Sequence, residues 1–342
     1  MLDLRFIVLS GKGGVGRTTV AAALARAAAA RGRRVLIAQA DAVERLGPML
    51  GHAGPIGSTV VTVAPGIDAV NMTPKESLHQ YALMVLRYET LYRALFENRA
   101  VRGFLSAIPG LDAYAMLGKV WWHTTETEDT RGAAARDRAG EAKNARGAMG
   151  RPRYDLVILD GPASGHTATM LKIPQAILDT TPTGPLVKDT TALRELLSDR
   201  ARSALVIVTL PEELPAIETR ELAATATREL GIGLGPLIVN AMPPERLSRP
   251  PVAGVLDQLA SARQSGGGGE LAALLDVAEG VRARRQAADA IVTSLGANPG
   301  LPIIQLPWLP AVALGPREID ALAAVLGQQL TSRPAPNEAS GS

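Results

Sequence analysis

The chain contains no cysteine. Disulfides, thiolate nucleophiles and metal sites built on cysteine sulfur are therefore excluded. Aromatic residues are only 3% of the chain, too few for a surface that stacks single-stranded bases. Charge of one sign is also lacking: 36 basic residues face 33 acidic ones, so the pI of about 9.3 reflects a net +3 and not a basic face. Nucleic acid is not an expected partner. No apolar run reaches the roughly 18 to 20 residues of a membrane span, and Arg5 and Arg26 interrupt the N-terminal apolar stretch before it could act as a signal peptide. A cytoplasmic address is expected. The tail shows no amphipathic membrane helix, so membrane association would be peripheral at most.

What is present is a 342-residue chain, 46% hydrophobic, large enough for one α/β domain carrying an insertion. Short β-branched or leucine-rich runs alternate with long alanine- and leucine-rich stretches, the pattern of a parallel sheet covered by helices. The clearest strands are Arg5–Leu9, Arg34–Ala38, Leu156–Asp160, Ala204–Thr209, Gly235–Asn240 and Leu301–Leu306. Each is a near-continuous apolar run, as expected of strands buried on both faces. Helices are expected at Thr18–Arg31, Leu214–Leu230 and Ile319–Leu330. The sheet should be doubly wound and mostly parallel, with residues 1–330 forming a single domain.

More than a hundred residues separate the second strand from the strand ending at Asp160, too many for one crossover helix. A helical insertion is expected over about 73–126, carrying Leu78, Leu83, Leu86, Leu91 and Leu95 and turning at Pro109-Gly110, with a further helical part over 168–200. Residues 127–153 are rich in Ala, Gly and mixed charge and should form a flexible loop. Gln264 to Gly269 reads as a linker and 331–342 as a disordered tail.

The chemistry is concentrated near the N-terminus. Leu9-Ser10-Gly11-Lys12-Gly13-Gly14-Val15-Gly16-Arg17-Thr18-Thr19 leaves a strand and enters an alanine-rich helix, the context a phosphate loop requires. The backbone N–H groups of Gly11, Gly13, Gly14, Val15, Gly16, Arg17, Thr18 and Thr19 would cradle the phosphates of ATP, and the Thr18 hydroxyl would ligate Mg2+. Arg17 stands where the general pattern has lysine. Asp41 and Asp160 follow apolar strands at their carboxyl ends, where ligands bind in such sheets. Asp160 suits the metal-holding Walker B role, and Asp41 suits orientation of an attacking water. Asp179-Thr180-Thr181-Pro182-Thr183-Gly184 offers a competing aspartate, but the segment before it contains Pro174 and is not a clean strand.

Lys12, in Gly-Lys-Gly-Gly-Val-Gly, resembles the early lysine of the deviant Walker A ATPases, which reaches across a dimer interface to the partner's nucleotide. The chain as a whole resembles the ArsA family of arsenite-pump ATPases and tail-anchored-protein targeting factors. Asp160-Gly161-Pro162-Ala163-Ser164-Gly165-His166-Thr167 is similar to that family's Asp-Thr-Ala-Pro-Thr-Gly-His-Thr switch II. Val208-Thr209-Leu210-Pro211-Glu212-Glu213-Leu214-Pro215 and Glu218-Thr219 resemble its next strand and helix. Val239-Asn240 resembles the strand end with the adenine-binding asparagine. The resemblance implies that Pro307 and its neighbours close on the other side of adenine. It covers roughly Phe6 to Leu330. After Asp41 the family reads Pro-Ala-His, whereas this chain has Ala42, Val43 and Glu44.

The resemblance implies a dimeric ATPase switch, a homodimer or a heterodimer with a paralogous ATPase, whose helical insertion engages a hydrophobic client protein. Met84, Met116, Leu117, Trp121 and Trp122 could line an apolar groove for it, though packing within the insertion's own core is the simpler expectation. The alternative is a catalytically impaired nucleotide-binding scaffold, which Arg17 favours. Without cysteine, no arsenite site of the family's thiolate kind is expected.

Overall fold

The computed structural model describes residues 1–78, 80, 110–128, 150–180, 183, 185–264 and 270–331. Its strands are β1 (Phe6–Ser10), β2 (Val35–Ala40), β3 (Val61–Ala64), β4 (Ile67–Met72), β5 (Leu156–Asp160), β6 (Ser203–Thr209), β7 (Leu237–Met242) and β8 (Ile303–Pro307). Among the described residues they form one sheet in the order β3-β4-β2-β5-β1-β6-β7-β8. All neighbours pair in parallel except β3 with β4, which form an antiparallel edge. The six strands expected from sequence are present within two residues at most of their ends. β3 and β4 had not been read. Pro65-Gly66 between two β-branched runs was the available hairpin signal, and Gly66 makes the turn at φ +74°.

The helices are α1 (Arg17–Ala29), α2 (Leu46–Leu50), α3 (Leu111–Thr125), α4 (Ser164–Thr180), α5 (Pro185–Ser198), α6 (Glu213–Thr225), α7 (Val252–Gln264), α8 (Glu270–Ala297) and α9 (Pro316–Thr331). The expected helix Leu214–Leu230 is α only as far as Thr225 and then widens into a π-helical turn over Ala226–Leu230. Alternation along β1 explains the layering. Phe6 and Val8 point into a core shared with α3, α4 and α5, while Ile7 and Leu9 point into a second core with α1 and α9. Burying each such side chain contributes roughly 1.5–3 kcal/mol. Small residues make α1 thin: Ala21, Ala22, Ala23, Ala25 and Ala28 are buried, which lets it lie between the sheet and α9.

The expected helical insertion is represented by α3, which Gly110 initiates at φ +83° and which packs on α4, α5 and β5. The chain turns helical at residues 74–78; Leu83, Leu86, Leu91 and Leu95 lie outside the described residues, as does Met84. Of the two expectations for Met116, Leu117 and Trp121, packing holds and the groove does not: all three are buried beside Tyr114 and Val120 in the core shared with β5 and the neighbouring helices, not in a separate core of the insertion. Trp122 is half-buried against His123. The two ends of the expected loop 127–153 are joined by an antiparallel bridge between Thr127 and Pro152, and residues 129–149 lie outside the described ones. So do 265–269 of the expected linker and 332–342 of the expected tail. The segment before Asp179 is helical, so this aspartate ends α4 and no strand. No helix among the described residues is long and apolar enough to cross a membrane.

Candidate functional site

The glycine-rich loop spans the gap from the carboxyl end of β1 to the start of α1, and two of its glycines are sterically obligatory. A Cβ on Gly11 would lie 2.1 Å from the carbonyl oxygen of Val208 on β6. Gly16 sits at φ +89°, and a Cβ there would lie 2.2 Å from Asn240 Nδ2. The loop therefore nests against the carboxyl ends of β6 and β7. Asn240 Nδ2 donates to the carbonyl of Val15 at 3.0 Å and fixes that contact. At Gly13 and Gly14, by contrast, a Cβ would meet nothing within 4 Å, so this part of the backbone faces open space above the first turn of α1. A helix N-terminus with glycine-exposed N–H groups attracts anions, and phosphate above all.

Asp160 closes β5 beside this loop. Its Oδ2 accepts from the Thr18 hydroxyl at 2.7 Å and from Gln39 Nε2 at 3.1 Å. Burial raises its pKa above the ordinary carboxylate value, and the hydrogen bonds from Thr18 and Gln39 and the nearby Arg17 charge oppose that rise. A buried carboxylate next to a hydroxyl, at the head of an anion-binding loop, is suited to a hard divalent cation. Arg17 completes the charge pattern. Burial lowers its pKa, Asp160 pulls the other way, and Nη1 is buried with no hydrogen-bond partner. An orphaned, buried guanidinium donor at the start of α1 fits a phosphate oxygen, and these residues together fit Mg-ATP.

The loop and the strand end are also stitched together. The N–H of Gly161 donates to the Leu9 carbonyl at 3.2 Å, and that of Ser164 to the Gly11 carbonyl at 3.1 Å. Lys12 is held within its own chain: Nζ lies 2.8 Å from Oε1 of Glu218 on α6, each side chain being 30% exposed.

Asp41 lies two residues beyond Gln39, which pairs in register with Asp160. It is exposed and adopts φ +51°, an uncommon conformation for a residue other than glycine. Its N–H donates to Met72 at 2.8 Å. The Asn71 side chain grips the next residue twice, accepting from Ala42 N at 3.0 Å and donating to Ala42 O at 2.8 Å. Glu44, which departs from the expected pattern, accepts from the N–H groups of Gly47 and Ile56 and so braces the following loop. Pro307 is exposed at the end of β8, opposite Met242 in the β7 register, and Trp308 N–H donates to the Met242 carbonyl at 2.9 Å. Thr19 is buried in the first turn of α1.

The structure thus brings Lys12, Arg17, Thr18, Asp160 and Asn240 around one loop, with Asp41 and Pro307 at the ends of strands on either side. Gln39, Asn71 and Glu218 had not been singled out for a role. Gln39 carried a signal, since a glutamine inside an apolar parallel strand is a buried polar group in need of partners. Glu218, known only from the Glu218-Thr219 resemblance, and Asn71 carried no sign of these contacts, which join segments distant in sequence.

The profile of the anion-transporting ATPase family, ArsA, matches residues 4–181 of the chain, a span that includes the loop, Asp41 and Asp160. The chain is similar to ATPase BagA of Mycobacterium tuberculosis (strain ATCC 25618 / H37Rv), with 25% identity over 249 residues, 71% of this chain and 67% of BagA. It is 27% identical over 258 residues to the arsenical pump-driving ATPase of Acidiphilium multivorum, covering 70% of this chain and 40% of that protein. With ATPase GET3 of Kluyveromyces lactis it shares 25% identity over 179 residues, 51% of this chain and 46% of that one.

Proposed function

Because the chain belongs to the ArsA family of anion-transporting ATPases, we propose that it is a dimeric, Mg-ATP-dependent switch coupling nucleotide binding and slow hydrolysis to engagement of a client or partner protein. The observation that carries this reading is the Thr18–Asp160 pair at 2.7 Å, at the head of a loop whose Arg17 keeps an unpartnered buried donor. Bound Mg-ATP supplies a transferable phosphoryl group whose charge the metal partly neutralises. Thr18 and Asp160 hold the metal, and the backbone of Gly11, Gly13, Gly14, Val15, Gly16 and Thr19 holds phosphate. Arg17 adds positive charge at the phosphates. Asp41 orients the attacking water, Asn240 and Pro307 flank adenine, and Lys12 reaches the nucleotide of the second subunit. The pairing is a homodimer or a heterodimer with a paralogous ATPase, acting in the cytoplasm.

Client engagement belongs to the helical insertion over about 73–126, of which α3 is a described part. Met116, Leu117 and Trp121 take no part in it, since they are core residues. A thiolate arsenite site has no ligands in this chain. The reading is tested by calorimetry of ATP with and without magnesium, together with steady-state hydrolysis. Magnesium-independent binding in the parent chain would overturn the metal assignment, and binding with no turnover would favour a second reading. That second reading, a catalytically impaired scaffold paired with an active paralogue, rests on Arg17 at the lysine position.

A further inference from the structure

The Lys12 ammonium is already engaged by a carboxylate of its own subunit. In this structure its ammonium is 2.8 Å from Glu218 Oε1, while Glu218 Oε2 receives the Ser164 hydroxyl at 3.4 Å. Ser164 N–H in turn donates to the Gly11 carbonyl, one residue before Lys12. The contacts close a ring through the phosphate loop, α6 and the segment that follows Asp160. An ion pair this exposed is weak, because solvent screens it and two flexible side chains must be held still. A triphosphate carries several negative charges and competes with a single carboxylate on favourable terms.

We propose that Glu218 is a positioning residue that latches Lys12 inside its own subunit, so that nucleotide-driven dimerisation requires transfer of Lys12 from the Glu218 carboxylate to phosphate. This rests on the cross-subunit role of Lys12 given above. The latch opposes association in the absence of nucleotide. Its link to Ser164 ties that opposition to the segment that begins at Asp160, so filling the metal site and freeing Lys12 become one event.

The experiment is sedimentation velocity of the full chain across a titration of ATP with magnesium, for the parent, Glu218→Gln and Lys12→Ala. A mass-spectrometric rate of amine labelling at Lys12, measured without nucleotide, reads the latch directly, and thermal melting checks that each variant is folded. Glu218→Gln is expected to label faster at Lys12 and to dimerise at roughly two- to fivefold lower ATP, the size set by one part-exposed ion pair. Lys12→Ala is expected to lose the ATP-driven association. If Lys12→Ala dimerises like the parent, the cross-subunit reading itself fails. If Lys12→Ala loses dimerisation while Glu218→Gln leaves the ATP midpoint unchanged or raises it, the latch alone is overturned.

Discussion

The Thr18 hydroxyl donates to Asp160 Oδ2 at 2.7 Å, joining the first turn of α1 to the end of β5 across 142 residues of sequence. Both oxygens are hard donors suited to magnesium, and Asp160 is nearly fully buried. A buried carboxylate costs stability unless a cation or donors compensate it. Asp160→Asn is therefore expected to raise the melting temperature of the nucleotide-free chain while removing the extra stabilisation by Mg-ATP. Thr18→Ala should weaken magnesium-dependent ATP binding by roughly tenfold or more. Thermal melts and calorimetry, each with and without magnesium, check both. Equal magnesium dependence in parent and Thr18→Ala would remove Thr18 from the metal site.

Gln39 is the second donor on Asp160 Oδ2, at 3.1 Å, and it is fully buried on β2. Its amide favours the charged carboxylate and orients it, so its loss acts through Asp160 and not on the nucleotide. Gln39→Leu keeps the apolar volume of the strand and should cost about 10- to 100-fold in magnesium affinity or turnover. Titration of magnesium at saturating ATP separates this from a folding defect. A variant that is folded and needs no more magnesium than the parent would show that the Gln39 contact is structural only.

The family's arsenical pump-driving relatives invite a test with arsenite. This chain offers no thiolate, and As(III) should neither bind in a stoichiometric complex nor accelerate ATP hydrolysis. Elemental analysis after desalting, and turnover at increasing As(III), measure the two outcomes. A bound stoichiometric arsenic would reveal a site built without thiolate.

Much of the site was legible in the sequence because its chemistry is local. Gly11 to Thr19 is contiguous, and Asp160 ends an apolar run that could only be a buried strand. The six neighbouring strands from β2 to β8 in the sheet were legible for the same reason. The β3–β4 edge was not, since Val61–Ala64 is only four residues long and its first two residues are not buried. The partners of Asp160 and Lys12 were illegible because Gln39 and Glu218 meet them only after strands β2, β5, β1 and β6 are laid side by side. The core role of Met116, Leu117 and Trp121 was the simpler reading of the sequence, and a helix pressed on β5 and two other helices has little free surface for a groove.

At the other end of the sheet lies a buried network that should govern acid stability. His123 Nδ1 is 3.1 Å from Glu126 Oε2, Arg153 Nη1 donates to Glu126 Oε1 at 2.6 Å, and Tyr154 donates to Asp68 at 2.9 Å. Burial lowers the His123 pKa, against the opposing hydrogen bond and charge of the Glu126 acceptor, with Lys119 and Arg153 adding to the lowering. Burial would raise Glu126, but His123 and Arg153 outweigh it and hold the carboxylate below its usual range. The folded state thus binds fewer protons than the unfolded chain at both groups. The His123 contribution is complete above the unfolded histidine value of about 6.5 and is lost as pH falls toward the folded value. Melting temperatures should fall between pH 7.5 and 5.5, and His123→Gln, which cannot titrate, should flatten that fall. An equally steep fall in the variant would assign the acid sensitivity to other groups.

On the proposed reading, Arg17 sets the rate of hydrolysis. Lysine and arginine bear the same charge, but lysine presents a compact ammonium on a slender stem and arginine a wide planar fork. In this structure the fork is largely buried at the start of α1, with Asp160 near enough to oppose the effect of burial on it and with Nη1 lacking a partner. That orphaned donor supports phosphate binding, so ATP affinity should survive the departure from lysine. Catalysis asks for more, because the charge must lie where the γ-phosphoryl group builds up negative charge as it departs. A wide fork, largely buried and near Asp160, meets the first requirement more readily than the second. Losing one such contact in the transition state commonly costs on the order of 3 to 4 kcal/mol, about a hundredfold or more in rate. The chain alone should therefore hydrolyse ATP slowly. Arg17→Lys is expected to raise the single-turnover rate toward that factor with little change in ATP affinity, read by rapid-quench kinetics at saturating enzyme beside calorimetric binding. A paralogous subunit with lysine at this position should raise turnover when mixed with the unmutated chain. If the unmutated chain alone turns over briskly and Arg17→Lys slows it, arginine is a working substitute here and the impaired-subunit reading falls.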